Sequence, residues 1–408
     1  MEDLTRRGML ASAAAALWCW PAAERTVLPG AAAAFRLPKP AGDHPAGSAS
    51  VGGASAAAFH RSGFIDHDPP LGYAHCPSIC GLSDGRMACA WYAGSREGHR
   101  DVAIWMAESE PFDGGPPTDE AIAWGRPRPV VDRRTATREL DRFIDKVGNS
   151  VVFTDADGRL WLIYVTIAVG GWSGSSLNAR CSTDDGKTWS RSHRLTLSPF
   201  FNISELVRAA PVMLESGELG LPVYHECLGK FPEMLWLRPE GERLAAAKSR
   251  MAGGRSLLQP AVVPLDGRRA VALLRDHSSR HRVASQRTAD GGLTWSAPVA
   301  TPLANPDASV AGVRLSDGRV LVAFNNSPNG RDDMSLAVGD QSLGEWRLIA
   351  TLDREPGGKF AYPFLIRDRN GLVHLVYSWK MKRIRHVAMN EAWIDAQPGE
   401  RLPAELPT

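Results

Sequence analysis

The sequence predicts an all-β chain folded as a six-bladed β-propeller with four antiparallel strands per blade. Three observations carry that prediction. A strand, a glycine turn and a second strand recur six times; the interval settles at about fifty residues; and a second turn motif falls at matched points of two repeats. Composition agrees. Gly and Pro together make up about a sixth of the 408 residues, above the usual share, and thirteen Trp stand beside six Tyr. Many turn residues with many large aromatics point to short strands rather than a helical bundle. A net charge of +2 provides no extended basic footprint, so nucleic acid is not an expected partner. At 44% hydrophobic and 23% charged, the chain is not of the intrinsically disordered class.

The six units are residues 79–91, 151–164, 211–224, 260–276, 310–325 and 363–377. Each places Gly85, Gly158, Gly217, Gly267, Gly318 or Gly371 after Asp, Asn or Ser, between two apolar β-rich runs. That is the strongest short-range signal for a hairpin. One hairpin per fifty residues leaves room for a second, hence four strands per unit around a central axis. The inner strands are expected to begin near Pro77, Ser150, Pro211, Pro260, Val310 and Pro363. The second motif, Ser/Thr-x-Asp-x-Gly-x-Thr-Trp, occurs at 182–189 and 288–295, with a worn copy at 340–346. Its Asp can accept backbone N–H bonds inside a tight turn, its Gly takes positive φ, and its Trp packs between blades. It reads as structural, lying between third and fourth strands.

Outside the repeats, Arg6-Arg7 precede the apolar run 9–20, followed by small residues that offer cleavage points. This is the layout of an export signal of twin-arginine type, and the run is too short to span a bilayer. The expected organisation is an export signal at 1–34, a linker at 35–69, the propeller at 70–390 and a tail at 391–408. A periplasmic or secreted location, without stable membrane insertion, follows. Phe35-Arg36-Leu37-Pro38 is read as chance linker sequence. Loss of Cys19 with the signal leaves Cys76, Cys80, Cys89, Cys181 and Cys227, an odd number. They read as buried thiols, with one disulfide, Cys76 or Cys80 to Cys89, as the alternative. No metal-ligand spacing and no phosphate-cradling motif appear, so neither metal nor cofactor is expected.

Propeller chemistry gathers at one end of the axis, on loops that flank the inner strands. The polar residues there include His75, Arg96, Glu97 and Asp101 in the first repeat. Later repeats add Glu205, Arg208, His225, Glu226, Gln259, Arg275, Arg331 and Tyr362. Arg96, Arg208, Arg275 and Arg331 at matched positions suit a carboxylate, which guanidinium forks bind through two N–H groups.

Six hairpin repeats interleaved with these Asp-boxes resemble the sialidase (neuraminidase) superfamily, in its bacterial BNR-repeat branch. The resemblance spans roughly residues 73–387. It implies a retaining glycosidase that releases a terminal sialic acid or related acidic sugar from glycans. It also implies an arginine triad on the sugar carboxylate, a Tyr nucleophile activated by Glu, and an Asp acid/base. Arg275 and Arg331 match the second and third arginines, and Tyr362 matches the nucleophile. Three positions depart from the pattern. His75 occupies the slot of the first arginine, Gln259 falls where the Glu belongs, and the loop 95–101 offers only Glu97 or Asp101 as acid. Glu226, Glu205 or His225 are the candidates to take the Tyr362 proton. His75 stays open as a cation, a general acid or a satisfied core histidine. Two other classes stay open: a carbohydrate-binding propeller without activity, and a lyase acting on uronate sugars.

Overall fold

The computed structural model describes residues 33–37, 57–65, 72–111, 122–197 and 204–402. Six antiparallel sheets stand in a ring, one per repeat. Blade one contains Tyr73–Gly81, Met87–Gly94, Ala103–Glu108 and Arg128–Asp132, from axis to rim, and blade two contains Lys146–Thr154, Leu160–Ile167, Ser175–Ser182 and His193–Arg194. In blade three the inner strand is split into Glu205–Val207 and Val212–Met213, beside Leu219–His225, Phe231–Glu240 and Arg243–Arg250. Blade four is Leu257–Pro264, Ala270–Asp276, Arg282–Thr288 and Val299–Ala304, and blade five is Ala311–Arg314, Val320–Phe324, Asp333–Gly339 and Trp346–Arg354. Blade six takes Phe360–Arg367, Val373–Trp379 and Arg383–Met389 from the end of the chain, and its rim strand, His60–Phe64, from the beginning. The ring is therefore closed by hydrogen bonds between the two ends of the fold.

Local chemistry explains the hairpins. Five of the six turn glycines have φ between 82° and 93°, a region closed to other residues at low cost. The amide of each donates to the carbonyl three residues earlier, as from Gly158 to Asp155 and from Gly371 to Asp368. Gly267 lies outside that region, because there the Asp266 carboxylate takes both the Arg268 and Arg269 amides. The Asp-boxes are superimposable in their bonding. Asp184 accepts the Thr188 amide (2.8 Å) and hydroxyl (2.6 Å), and Asp290 accepts the Thr294 amide (2.9 Å) and hydroxyl (2.5 Å). The Trp189 and Trp295 indoles close each box on the Gly186 and Gly292 carbonyls. These bonds, the Thr188 hydroxyl first, hold Asp184 down to about 2. Both boxes lie between third and fourth strands, as expected.

Three expectations are corrected. The stretch expected to be linker supplies the closing strand His60–Phe64, a polar segment whose partner is more than 300 residues away. Phe35 is 1% exposed and bridges Leu214, while the Phe35 and Arg36 amides bond Gly267 and Met213, so this motif is part of the fold rather than chance. Beyond residue 390 the helix Glu391–Ala396 buries Ile394, and Glu400–Arg401 adds a strand to the rim of blade five. Cys76, Cys80, Cys89 and Cys181 are buried free thiols and Cys227 is exposed, which excludes the alternative disulfide. Burial pushes the Cys76 thiol up to about 11 and Cys80 up to about 12. Among the described residues no helix is long and apolar enough to cross a membrane, and no group of three ligands could hold a metal. The export signal falls almost wholly on residues 1–32, outside the described residues.

Candidate active site

Most inner strands begin several residues earlier than the prolines suggested, because pairing continues past them through a bulge. In four blades the register slips at one level: around Cys76-Pro77, Asn149, Gln259-Pro260 and Tyr362-Pro363. Cys76, Gln259 and Tyr362 have φ of 58°, 51° and 58°, and Asp307, ahead of the blade-five inner strand, has 56°. A bulge adds a residue to one strand and re-aims its side chain. Left-handed backbone at a non-glycine residue costs about 1–3 kcal/mol, and such strain gathers at functional sites. Here it gathers at one end of the axis.

Tyr362 stands at the centre of that end. Its hydroxyl accepts a hydrogen bond from Gln259 Nε2 at 3.4 Å; among the described residues this is its hydrogen-bond partner. Gln259 is 2% exposed and its amide is fully committed. Nε2 also donates to the Tyr224 hydroxyl (3.1 Å), and Oε1 accepts Arg275 Nη1 (3.3 Å). Asn149 Nδ2 donates to the same Tyr224 oxygen at 3.3 Å. Burial, then the neighbouring Tyr362 and Glu226, push Tyr224 well above the usual phenol range, so it keeps its proton.

Arg275 and Arg331 converge on this centre, as expected. Both are held by Asp307. Its Oδ1 accepts Arg275 Nε at 2.5 Å, its Oδ2 faces His277 Nδ1 at 2.7 Å, and its main-chain carbonyl accepts Arg331 Nη2 at 2.8 Å. The Arg331 guanidinium lies 5.8 Å from the Tyr362 ring centre. Burial opposes the charge on Arg275, but Tyr362 and Asp307 outweigh it and keep Arg275 firmly protonated. Asp307 is correspondingly held below the usual carboxylate range, since Arg275 and His277 exceed the upward push of burial.

The other two arginines are placed differently from expectation. Arg208 reaches the axis but is 2% exposed, and its guanidinium is spent on protein carbonyls. It donates to Pro77 O (3.0 Å), Pro363 O (2.9 Å) and Tyr362 O, beneath the Tyr362 and Phe364 rings. It binds blades one and six to blade three rather than a substrate. Arg96 lies exposed on the 95–101 loop.

His75 is 2% exposed, bonded through Nδ1 to Ser378 Oγ (2.8 Å), with its ring edge-on to Tyr362 at 4.3 Å. Burial, then Arg208 and Arg331, drive its pKa well below the usual range. A ring held neutral in this way does not supply the charge of the arginine whose slot it occupies. Asp101 accepts the Ser95 amide and faces His99 Nδ1 at 2.7 Å. Burial pushes its pKa up, but the bonds from His99 and Ser95 together outweigh it and hold the carboxyl below its usual range, so in this arrangement Asp101 clamps its own loop. Glu97 accepts the Tyr73 hydroxyl (3.0 Å) and the Tyr92 hydroxyl (3.5 Å), and so props the aromatic wall behind His75. Glu205 pairs with Lys248 (3.1 Å), and His225 stacks on Phe231 and accepts the Leu228 amide. Neither is bonded to Tyr362. Glu226 follows the strand that carries Tyr224, and its amide is held by Ser204 Oγ (2.9 Å).

A family model described as a BNR repeat-like domain matches residues 85–375, most of the chain. The chain belongs to the BNR repeat-like domain family. No curated protein matches it by sequence. Among solved structures it is similar to a Dyadobacter fermentans protein of unknown function, at 15% identity and a TM-score of 0.62, over 81% of this chain and 97% of that one. It is similar to the NanB sialidase of Streptococcus pneumoniae at 12% identity and a TM-score of 0.61, over 80% and 70% of the two chains. The intramolecular trans-sialidase of Ruminococcus gnavus matches at 14% identity and a TM-score of 0.59, over 80% and 96%. At such identities the likeness is one of fold.

Sequence reasoning missed Tyr224 and Ser378 as members of the site, and it placed Asp307 before the blade-five inner strand without giving it a role. For Tyr224 a signal existed: it closes its repeat on the parity that faces the axis. Ser378 gave none, since it acts on residues about 300 positions away in the chain.

Proposed function

We propose that the protein is an exported, retaining glycosidase of sialidase type, acting on a terminal sialic acid or a related acidic sugar of a glycan. One observation carries the reading: the Tyr362 hydroxyl stands on the axis at a strained bulge, with Arg331 beside its ring and Arg275 joined to it through Gln259. Nη2 of Arg275 and the Nε and Nη1 groups of Arg331 remain to meet a sugar carboxylate. Tyr362 Oη then attacks the anomeric carbon as the bond to the leaving oxygen breaks; its proton goes to the Glu226 carboxylate, which passes it on to that leaving oxygen. In the second step water, deprotonated by Glu226, attacks the same carbon and releases the sugar from Tyr362, whose oxygen takes the proton back through Glu226. Gln259 holds the nucleophile in place by donation.

A second reading, binding of an acidic glycan without turnover, has its own observation: among the described residues no carboxylate is hydrogen-bonded to Tyr362. The test is release of aglycone from an activated aryl sialoside by the wild type and by Tyr362→Phe. An initial burst in the wild type, lost in Tyr362→Phe, supports the glycosidase. Binding of the sialoside with no release by the wild type supports the second reading, and activity that survives in Tyr362→Phe ends the nucleophile assignment.

A further inference from the structure

We infer that blade three carries a leaving-group subsite, a cleft built around Lys248, Glu205 and Glu233 that takes the neutral sugar to which the acidic one is linked. The inference rests on the glycosidase reading of the axial site.

A cleft of about 560 Å³ opens on blade three, lined by Glu205, His225, Leu228, Glu233, Lys248 and Arg250 among others. That is the size of a small-molecule site. Lys248 Nζ lies 3.1 Å from Glu205 Oε1 and 3.4 Å from Glu233 Oε2, and the carboxylate side chains are only 3% and 7% exposed. Glu233 Oε2 is buried without an aligned hydrogen bond, so the contact with Lys248 is an ion pair alone. Burial pushes both carboxylates up, and Lys248 opposes it. Buried ions of this kind seldom stabilise a fold better than apolar side chains of equal volume. A ligand that completes their hydrogen bonds gives them a use. Fixed acceptors on Glu205 and Glu233 alternate with donors on Lys248 and Arg250, which matches sugar hydroxyls, since each both donates and accepts.

The cleft also lies on the correct side of the axial site. His225, on its wall, follows Tyr224, and the Tyr224 hydroxyl shares the Gln259 amide with Tyr362. His225 is paired with Glu205 across the sheet, at the end of the blade where Tyr362 stands. Glu226 comes next in the chain, close enough for its carboxylate to act on the Tyr224 hydroxyl, and Cys227 is back on the cleft wall. A group that protonates a departing oxygen has to sit between the sugar and its leaving group. Glu226 occupies that place if the leaving group lies over blade three. Leu228, 81% exposed, forms the lip.

The test compares sialyllactose with an umbelliferyl sialoside, which has the same acidic sugar but no leaving-group sugar. Glu233→Gln, which keeps the shape of the side chain, is expected to lower kcat/KM for sialyllactose by about tenfold. The aryl sialoside should stay within about twofold, because the variant loses one charged acceptor that it never meets. Equal losses on both substrates, or none on sialyllactose, overturn the subsite. A second measurement does not need turnover: lactose alone is titrated into the wild type and Glu233→Gln and followed by NMR. Shifts in the wild type that weaken in the variant support the subsite, and no response of the wild type overturns it. Lactose binding at this cleft by a protein that cleaves neither substrate keeps the subsite and refutes the glycosidase reading.

Discussion

Arg208→Met is the most exacting perturbation of the ring. Arg208 is 2% exposed and donates to three main-chain carbonyls, Pro77 and Pro363 at 3.0 and 2.9 Å and Tyr362. Methionine keeps the stem against the Tyr362 and Phe364 rings but leaves three buried acceptors without a donor. Each such acceptor costs about 1–3 kcal/mol. Against that stands a gain: the guanidinium need no longer be desolvated, and its Nε is already buried without a partner. Desolvation of a buried ion costs several kcal/mol. The balance is a net loss of about 3 kcal/mol, near the low end for breaking a buried charged contact. Urea unfolding of wild type and variant reads it directly, with an unchanged slope showing that the ensembles compared are the same. A loss below about 1 kcal/mol would show that water or a shifted backbone satisfies the carbonyls, and the role of Arg208 as a staple between blades would be refuted.

Arg275→Ala should raise KM for an acidic glycoside by about thirtyfold or more, since a desolvated carboxylate loses a charged partner; a KM change below threefold removes Arg275 from substrate binding. Gln259→Glu sets a carboxylate oxygen in place of the amide that is 3.4 Å from the Tyr362 hydroxyl. On the nucleophile reading, this added base should raise kcat on an aryl sialoside roughly tenfold or more, and a fall in kcat with the fold intact counts against it. His75 and His386 are held neutral by burial well below their usual range, so their folded-state pKa is depressed. Their contribution is present above about pH 6.5 and is lost as pH falls, by about 1.4 kcal/mol per pH unit for each once the unfolded imidazole is protonated. Burial-raised Glu205 and Glu233 act with the opposite sign, their contribution being lost as pH rises above the ordinary carboxylate value of 4.5, and a pH scan of unfolding in wild type and His386→Phe separates the two effects. Phe35→Ala should cost about 3–5 kcal/mol, as for other large buried aromatics; a midpoint equal to the wild type would show that residues 33–37 are dispensable.

The blade count was legible in the sequence because each hairpin is closed by atoms a few residues apart. A glycine at positive φ, an aspartate that accepts amides within its own turn and a tryptophan that caps the box need no help from the rest of the chain. Repetition of that local chemistry at intervals near fifty residues leaves one architecture. The placement of Arg275, Arg331 and Tyr362 at one end followed from the same register, since equivalent positions on radial blades converge. What those residues do there was decided elsewhere. Arg208, in the break of the blade-three inner strand, and Arg275, in the second strand of blade four, carry the same side chain, yet one is consumed by carbonyls from residues 131 to 155 positions away and the other is left with a free edge. His75 reads as a possible cation until burial and two guanidinium groups from blades three and five are set around it. The rim strand His60–Phe64 has no apolar alternation and becomes a strand only because Arg383–Met389 offers it an unpaired edge. Each of these outcomes depends on desolvation and on partners brought together by ring closure. Neither is encoded within a window of neighbouring residues, so only the tertiary structure could supply them.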